Sequence, residues 1–408
     1  MFLLTNDDDR MHICFLSHEY PLWATGGIGT FIQTLGRALV RHGHRVTVVG
    51  IGRSLVRQDF NDQGVSVVRL PMSRIRYAQV IPNVIRIRKF LTSLYRELPI
   101  DILESSEAGL AFMSYQTPYH KVIRLHGGHH FFAEAEQRNI HWWKGWQEKV
   151  SFKKSDAFIA VSEFVKSHTC KYLSYRQKPI TVIPLPLDST LFRPMPNVEV
   201  VAHSLVFAGT VCEKKGVRQL LMALDKVRKR FPDVHLDIYG RDWFDKEGKS
   251  YVDRLKKEIS SSVLSHVTFH GAIMRHQLPL IFASAELCVF PSHMETLGLV
   301  APEAMLTGRP VLFSETGPGP ETIIHGMTGL LCFPLDVSDI ANKIIDAFEH
   351  PGHLTQIAEQ GMIFAREKFD LERITIRNIE FYELLRAGGR QRGSYILEKK
   401  RTCDWVVI

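Results

Sequence analysis

Short apolar runs alternate with longer helical patterns along nearly all of the 408-residue chain. An apolar run of about four to eight residues suits a strand that is buried on both faces. A helix that follows such a strand can return the chain to the next parallel strand. This alternation is typical of α/β folds with parallel sheets. It occurs in two successive series, so we predict two α/β domains.

The first series predicts an N-terminal domain at residues 11–187. Its apolar runs predict strands near residues 12–17, 45–51, 65–70, 101–105, 121–126, 156–161 and 180–184. Its amphipathic segments predict helices near residues 28–42, 80–97, 107–116, 132–154 and 162–173. Several prolines lie between residues 184 and 196. Because proline interrupts both helical and sheet hydrogen bonding, we predict a linker at residues 188–203.

The second series predicts another domain at residues 204–370. Its strands are expected near residues 204–210, 234–239, 267–270, 286–290, 309–313 and 329–333. Its helices are expected near residues 217–231, 250–262, 275–284, 300–307, 319–325, 337–349 and 353–368, and a last helix near 371–387 precedes a basic tail at 388–408. Open α/β sheets bind ligands at the carboxyl ends of their strands. Two Rossmann-like domains facing each other would therefore place a site in the cleft between them.

Bulk composition narrows the class of protein and of ligand. Apolar residues make up 45% of the chain, which excludes wholesale disorder. The net charge of +8 favours polyanionic ligands, such as phosphorylated substrates, nucleic acid or an anionic membrane surface. Charge alone does not choose among these three.

Several signals of other protein classes are missing. The opening MFLLTNDDDR has no basic region before its apolar residues, so we expect no signal peptide. No apolar stretch approaches about 18 residues, so we expect no transmembrane helix and a cytoplasmic location. The six cysteines lack CxxC spacing and HExxH is absent, so we expect buried reduced thiols and no metal site.

Two strand ends in the first half carry candidate binding residues. Gly26, Gly27 and Gly29 join the first strand to a helix, and a glycine-rich turn at a helix N-terminus favours an anion such as phosphate. The spacing is not GxGxxG, which argues against a dehydrogenase. In RLHGGHHF, His126 ends a strand, where it either hydrogen-bonds a sugar hydroxyl or caps the loop.

The strongest signal in the second half is PSHMETLGLVAPEAMLTGRPVLFSETGPGPETIIHGMTGLL, residues 291–331. It contains Glu295 and Glu303 with seven residues between them. Glu303 falls in the first turn of a predicted helix, where negative charge is favoured, and a carboxylate can accept the paired hydroxyls of a ribose. The backbone N–H groups of residues 296–299 are expected to face the same region. In FAGTVCEKKG, Lys215 lies at a strand-to-helix junction, where it can neutralise a diphosphate.

The 291–331 segment resembles the signature of the family 4 retaining glycosyltransferases, roughly PSxxEGFGLxxxEAMAxGxPVVxxxxGGxxExVxxGxxGxLV. The resemblance extends to GGIGTF and LGRALVRHGHRVTVV near the start, to SDAFIAVSEF at residues 155–164 and to KKG at 214–216. It covers about residues 11–387, and it implies the GT-B fold, with two Rossmann-like domains across a cleft.

The resemblance also implies a reaction and roles for residues. The chain would transfer a sugar, expected from the resemblance to be a hexose, from a nucleotide diphosphate sugar to a glycan or lipid-linked hydroxyl, without a cofactor or a metal. The implied catalytic residues are Glu295 beside the transferred sugar, His126 near it and Lys215 on the diphosphate. The implied donor-binding residues are Gly27, Gly29, Lys215, Thr296, Leu297, Gly298, Leu299 and Glu303.

One departure from the family pattern concerns the diphosphate. Many members have an arginine directly after the strand-end glycine, whereas this chain has Thr210 in GTVCEKKG. Lys214 or Arg218 are the candidates to replace that cation. A non-catalytic nucleotide-sugar-binding subunit, a sugar-nucleotide epimerase and a phosphorylase on the same fold stay open as alternatives.

The acceptor side carries a basic amphipathic segment at residues 73–98, with Arg74, Arg76, Arg86, Arg88, Lys89 and Arg96. The sequence HWWKGWQ at residues 141–147 adds three tryptophans. Such segments either rest on an anionic inner membrane face or form an ordinary solvated helix with packed aromatics. The sequence predicts no contact with nucleic acid.

Overall fold

The computed structural model describes residues 10–21, 26–73, 80–136 and 138–390. The described residues form two compact units. The first unit contains the chain up to Pro186 and the segment from Leu371 onward, and the second unit is Leu187–Asp370. Residues 188–203, predicted as a linker, are part of the second unit.

The first unit is built on an eight-stranded sheet in the order β3-β4-β2-β1-β5-β6-β7-β8. All of its strands are parallel except β3, which pairs antiparallel with β4 at the edge. The strands are β1 His12–Leu16, β2 Arg45–Ile51, β3 Gln58–Asp62, β4 Val65–Leu70, β5 Ile102–Ser105, β6 His120–Leu125, β7 Ala157–Ala160 and β8 Ile180–Val182. Because the strand order reverses between β1 and β5, the carboxyl ends of these two strands are the expected ligand position.

Helices connect these strands. They are α1 Gly27–Arg41, α2 Val80–Glu97, α3 His129–Ala135, α4 Trp142–Lys154 and α5 Glu163–Cys170. Helix α1 buries a stripe that includes Phe31, Leu35 and Leu39, as the spacing of its apolar residues predicts. Helix α2 differs, because only Ile87 and Leu91 are buried in its eighteen residues.

The second unit contains a fully parallel six-stranded sheet in the order β11-β10-β9-β12-β13-β14. Its strands are β9 Ser204–Ala208, β10 His235–Tyr239, β11 Val267–Gly271, β12 Leu287–Phe290, β13 Val311–Ser314 and β14 Leu330–Cys332. This is the doubly wound order 3-2-1-4-5-6, and its reversal lies between β9 and β12.

Eight helices of the second unit cover its sheet. They are α6 Val217–Arg230, α7 Tyr251–Glu258, α8 Ser261–Leu264, α9 Leu278–Ser284, α10 Val300–Leu306, α11 Gly319–Thr322, α12 Val337–Glu349 and α13 Pro351–Lys368. Short 3-10 turns, Glu213–Lys215 and Arg275–Gln277, precede α6 and α9. The last helix of the chain, α14 Leu371–Arg390, returns to the first unit and lies against α1.

A buried polar network fixes α14 to the first sheet. Arg124 on β6 donates to both carboxylate oxygens of Glu104 on β5, at 2.7 and 3.0 Å. The same guanidinium donates to Asn378 Oδ1 at 2.6 Å and to the Tyr382 hydroxyl at 3.3 Å. Tyr382 in turn donates to Glu104 at 2.5 Å. The charges of Arg124 and Glu104 are thus neutralised inside the protein, as buried charges require.

The fold departs from the sequence predictions in a few places. Residues 107–116 form turns instead of the predicted helix: Ala111 and Met113 donate to carbonyls three residues back, and the Leu110 amide donates to Ser151 Oγ. The predicted helix 132–154 is split into α3 and α4. Strand β3 was not predicted, because its sequence QDFND is polar and mostly exposed, so it carries no apolar pattern.

Four of the described cysteines are buried reduced thiols, as the sequence predicts. They are Cys14, Cys212, Cys288 and Cys332. Burial raises the pKa of the Cys14 thiol to about 12, so this group stays protonated. Cys170 is disulfide-bonded, so the prediction of a reduced thiol is wrong for that residue.

Candidate functional site

The candidate site of the second unit lies where β9 and β12 end, at the reversal of the strand order. Two loops meet there, because the His293 amide after β12 donates to the Lys214 carbonyl after β9 at 2.9 Å. Gly216 makes this approach possible. Its φ of +71° is left-handed, and a Cβ at this position would lie 1.9 Å from the Pro291 carbonyl oxygen.

Lys215 and Glu295 form an ion pair at this junction. Their side chains are largely buried, with exposures of 24% and 12%. Ser292 Oγ donates to the same carboxylate oxygen of Glu295 at 3.0 Å. An ammonium group has three N–H donors, so the contact with Glu295 leaves two for an anionic ligand. The structure therefore brings together two of the predicted catalytic residues.

Glu303 belongs to a second cluster in the same unit. It lies in the first turn of α10 and is buried, and Arg275 Nη2 donates to its Oε1 at 2.7 Å. Burial raises the pKa of Glu303, and the Arg275 guanidinium opposes that shift. Across the described ranges, no hydrogen bond or ion pair joins Glu303 to Lys215 or Glu295. Sequence reasoning missed Arg275, which follows β11 without any motif to mark it.

The loop between Glu295 and α10 offers unused backbone donors. In the part of the chain that the structure describes, the N–H groups of Leu297, Gly298 and Leu299 have no hydrogen-bond partner. Gly298 has a φ of +73°, and a Cβ there would lie 2.4 Å from the Phe313 ring. Consecutive donors of this kind are suited to anionic or hydroxyl oxygens. Thr296 precedes them in the same loop.

Arg241 lies beside the position where the family arginine is missing. It follows Gly240 at the end of β10, and its Nε donates to Thr210 Oγ1 at 3.4 Å. The Val211 amide donates to the Arg241 carbonyl at 2.9 Å, which fixes the two loops together. Arg241 is exposed and has no ion pair with any described carboxylate. Arg218, by contrast, is held by Glu213 and Glu258.

Sequence reasoning missed Arg241, although a signal was present. The residue directly follows the strand-end glycine of a parallel strand, in IYGRDW, and neighbouring strand ends share one edge of the sheet.

The glycines of the first unit lie at the N-terminus of α1. Gly27 is exposed in the first turn, whereas Gly29 is buried. The Gly29 amide donates to Glu19 Oε2 at 3.4 Å. This carboxylate, which was not predicted, lies where a phosphate was expected. A phosphate at this position would compete with Glu19 for the same helix end.

His126 follows β6 and is partly buried against Phe31, with ring centroids 5.3 Å apart. Burial and the nearby Arg124 guanidinium lower the pKa of His126 to about 3. The imidazole is therefore neutral near pH 7, so it can donate one hydrogen bond and accept another.

Glu107, just after β5, is a buried carboxyl that sequence reasoning missed. Burial raises its pKa to about 8, and the backbone amides of Gly127 and His126 partly offset this. One of its oxygens has no hydrogen-bond partner in the described chain. This mostly protonated side chain lies beside the loop that carries His126.

Two kinds of feature are absent from the described residues. They contain no group of three or more His, Cys, Asp or Glu side chains placed to hold a metal ion. None of their helices combines the length and the apolarity that crossing a bilayer would require.

Comparison with known proteins assigns the family. The model of Glycosyltransferase Family 4 matches residues 25–191, and the model of Glycosyl transferases group 1 matches residues 202–363. Together the two models cover most of both units. The chain belongs to the family 4 glycosyltransferases. It is therefore a nucleotide-sugar-dependent transferase of a retaining family, as the 291–331 motif predicts.

Individual relatives resemble this glycosyltransferase over most of its length. Glycogen synthase of Mycobacterium tuberculosis is 25% identical, over 93% of this chain and 96% of its own. The structure of sucrose-phosphate synthase from Thermosynechococcus elongatus has a TM-score of 0.80 at 21% identity, over 93% of this chain and all of the other. Anabaena HepE in complex with UDP-glucose has a TM-score of 0.72 at 20% identity, over 92% and 100%. The prediction of a GT-B fold is confirmed.

Proposed function

We propose that this glycosyltransferase moves a hexosyl group from a nucleotide diphosphate sugar to a hydroxyl of a glycan or lipid-linked acceptor. The observation that carries the proposal is the Lys215–Glu295 ion pair at the reversal of the strand order. Ligands bind at this position in doubly wound sheets. A cation there suits the diphosphate, and a carboxylate beside it suits the hydroxyls of the transferred sugar.

The chemical step must stabilise the departing nucleoside diphosphate. As the bond between the anomeric carbon and the phosphate oxygen breaks, its electrons pass to that oxygen. Lys215 and the free amides of residues 297–299 offer donors to the growing charge, which is the role of an oxyanion hole. We propose that these groups act without a metal ion. The acceptor oxygen bonds to the same face of the sugar, and its proton passes to the leaving phosphate.

His126 and the α1 glycines have supporting roles in this proposal. Because burial lowers the pKa of His126, its imidazole is a weak base, so we assign it a hydrogen bond to a sugar hydroxyl and not the transfer of the reaction's proton. Gly27 leaves open space at the N-terminus of α1 for a ligand oxygen, which would compete with Glu19 for the Gly29 amide.

The experiment that tests the function begins with thermal-shift titrations of UDP, GDP and ADP. HepE was solved with UDP-glucose, and glycogen synthase is a named relative, so we expect UDP and a glucosyl donor to be favoured. Release of nucleoside diphosphate from the stabilising donor, dependent on an added acceptor, supports the transferase. Donor binding without release indicates a non-catalytic subunit, and conversion to another nucleotide sugar indicates an epimerase.

Glu303→Gln is expected to raise the donor KM by about tenfold to a hundredfold, because it weakens one or two hydrogen bonds that the donor makes to a charged acceptor.

The pH dependence of the donor KM is a second test of Glu303. Because the pKa of Glu303 is raised, its carboxylate is protonated on acidification earlier than an exposed glutamate. The wild-type donor KM should then rise as the pH falls, and the variant should lose that rise. The exposed Glu359→Gln is the control, and equal KM values for both variants would refute the assignment.

Arg241→Ala is expected to raise the donor KM by about three- to tenfold, because an exposed guanidinium gives a modest charged contact. Arg230→Ala is the matched control, since Arg230 is exposed and lies in the last turn of α6, away from the carboxyl ends of the strands. Steady-state kinetics over a range of salt should show a weaker salt dependence in Arg241→Ala alone. Unchanged kinetics would mean that the diphosphate is bound without this cation.

We further propose peripheral contact with an anionic membrane through α2. This helix exposes Ile81 and Ile85 at 68% and 47%, together with the cations Arg88 and Lys89. Trp142, exposed at 74%, adds an aromatic group of the kind found at membrane interfaces. The predicted Arg74 and Arg76 lie outside the described residues.

Vesicle co-sedimentation tests this contact. The protein should bind phosphatidylcholine vesicles only when phosphatidylglycerol is present, and added salt should weaken binding. Charge reversal of Arg88 and Lys89 to glutamate should abolish binding. The same reversal of Lys256 and Lys257, an exposed pair on α7, is the control. Equal loss in both double variants would indicate non-specific charge attraction.

A further inference from the structure

The first unit contains a cavity of about 410 Å³ at the reversal of its own strand order. Its polar wall is formed by residues at or just after the carboxyl ends of β1, β5 and β6. These residues are Ser17, His18, Glu19, Ser105, Ser106 and His126. The volume falls in the range of small-molecule sites, about 300–1,000 Å³.

The opposite wall of the cavity is mostly apolar. Helices α1 and α2 contribute Ile28, Phe31, Ile32, Val80, Val84 and Ile87. Phe112 continues this wall and packs on Trp143 and Trp146, at centroid distances of 5.9 and 6.0 Å. Trp146 is 43% exposed, so the apolar surface continues from the cavity to the outside of the unit.

One of the two carboxylates that line this cavity already has its hydrogen-bond partners. Glu104 lines it, but both carboxylate oxygens are bonded to Arg124, and Tyr382 donates to one of them. His126 is neutral. The helical walls offer two polar side chains, Asn83 and Gln147, so a ligand made only of sugar would bury most of its hydroxyls against apolar side chains without partners. The geometry instead suits an amphiphile, with its polar end at the strand ends and its apolar part between α1 and α2.

We propose that this cavity binds an acceptor whose reactive hydroxyl is attached to an apolar group, an alkyl chain or a hydrophobic ring system. The proposal rests on the transferase function proposed above and narrows its acceptor to the amphiphilic class. The apolar part lies against Val84 and Phe31, and the hydroxyl end lies by Ser105 and His126. A longer chain follows the surface of Phe112 and Trp146.

The test uses n-alkyl glucosides from methyl to octyl, each below its critical micelle concentration, with binding measured by calorimetry in the absence of donor. Each buried methylene is expected to lower the Kd by about three- to fourfold until the cavity is full. Val84→Trp and Ala108→Trp fill the cavity from two sides, and both should remove the dependence on chain length. Ala108 is exposed, so its replacement leaves the core intact if the first variant fails to fold.

Ile85→Trp is the matched control, because Ile85 is exposed on α2 beside Val84 but does not line the cavity. In Ile85→Trp, the Kd should depend on alkyl-chain length as it does in the wild type. A Kd independent of chain length in the wild type, or a dependence kept in both filled variants, overturns the proposal. Lys215→Ala should bind the glucosides with the wild-type Kd, because Lys215 belongs to the donor site. A negative result for acceptor binding is therefore distinguishable from a negative result in the donor assays.

Discussion

Replacing Lys215 with alanine is expected to lower kcat by about a hundredfold to a thousandfold. This is the usual effect of removing one donor from a site that stabilises charge in the transition state. Lys215 is held at the strand ends by Glu295 and by the Gly216 turn, so its charge is in place before the donor binds. Because the charge of the leaving group grows as the bond breaks, kcat should fall more than donor affinity. Single-turnover measurement of nucleoside diphosphate release checks this.

Lys229→Ala is the matched control for Lys215→Ala. Lys229 lies on the helix that follows Lys215 and also pairs with a carboxylate, Asp225, at 2.8 Å, but it is 66% exposed and lies in the last turn. The kcat of the Lys229→Ala variant should equal that of the wild type. If Lys215→Ala retains kcat within about threefold, the diphosphate lies elsewhere and the proposed mechanism fails.

Arg124→Ala is expected to destabilise the first unit by about 3–5 kcal/mol, because it leaves the Glu104 carboxylate buried beside a cavity. It also removes the bonds that Asn378 and Tyr382 on α14 make to β6. For a unit of this size, the expected fall in melting temperature is roughly 6–20 °C. Thermal unfolding followed by circular dichroism measures it.

Two further variants distinguish the stability contributed by the buried network from that of an exposed ion pair. Tyr382→Phe removes one hydroxyl from the network and should cost about 1 kcal/mol. Arg57→Ala breaks an ion pair with Asp59 whose side chains are half exposed, so its effect should be about 1 kcal/mol or less. An Arg124→Ala effect as small as that of Arg57→Ala would show that the buried network is not what holds α14.

The sequence was sufficient for most of the fold, because buried parallel strands carry uninterrupted apolar runs. Ile13–Leu16 and Leu287–Phe290 are examples, and both form strands where they were expected. The errors occur where side chains give no periodic signal. Strand β3 is polar, and the segment after Glu107 has apolar residues at helical spacing but uses its amides in turns and in a bond to Ser151.

The residues of the candidate site that were predicted all lie in linear motifs. Lys215, Glu295 and Glu303 could be found in this way, because their loops keep recognisable neighbours. Arg241 and Arg275 come from other strand ends, and only the folded sheet brings them to Thr210 and Glu303. The raised pKa of Glu107 also escaped prediction, since it depends on burial by residues distant in sequence.

The two ends of the second unit lie side by side. The Leu187 amide donates to the Phe369 carbonyl at 3.0 Å, so the chain enters and leaves this unit at one place. In topological terms, residues 187–370 are an insertion nested within the sequence of the first unit. Two chain crossings, 186/187 and 370/371, therefore connect the units, and they are the natural pair of cut points for gene fusions or for ligand-controlled splitting of the enzyme.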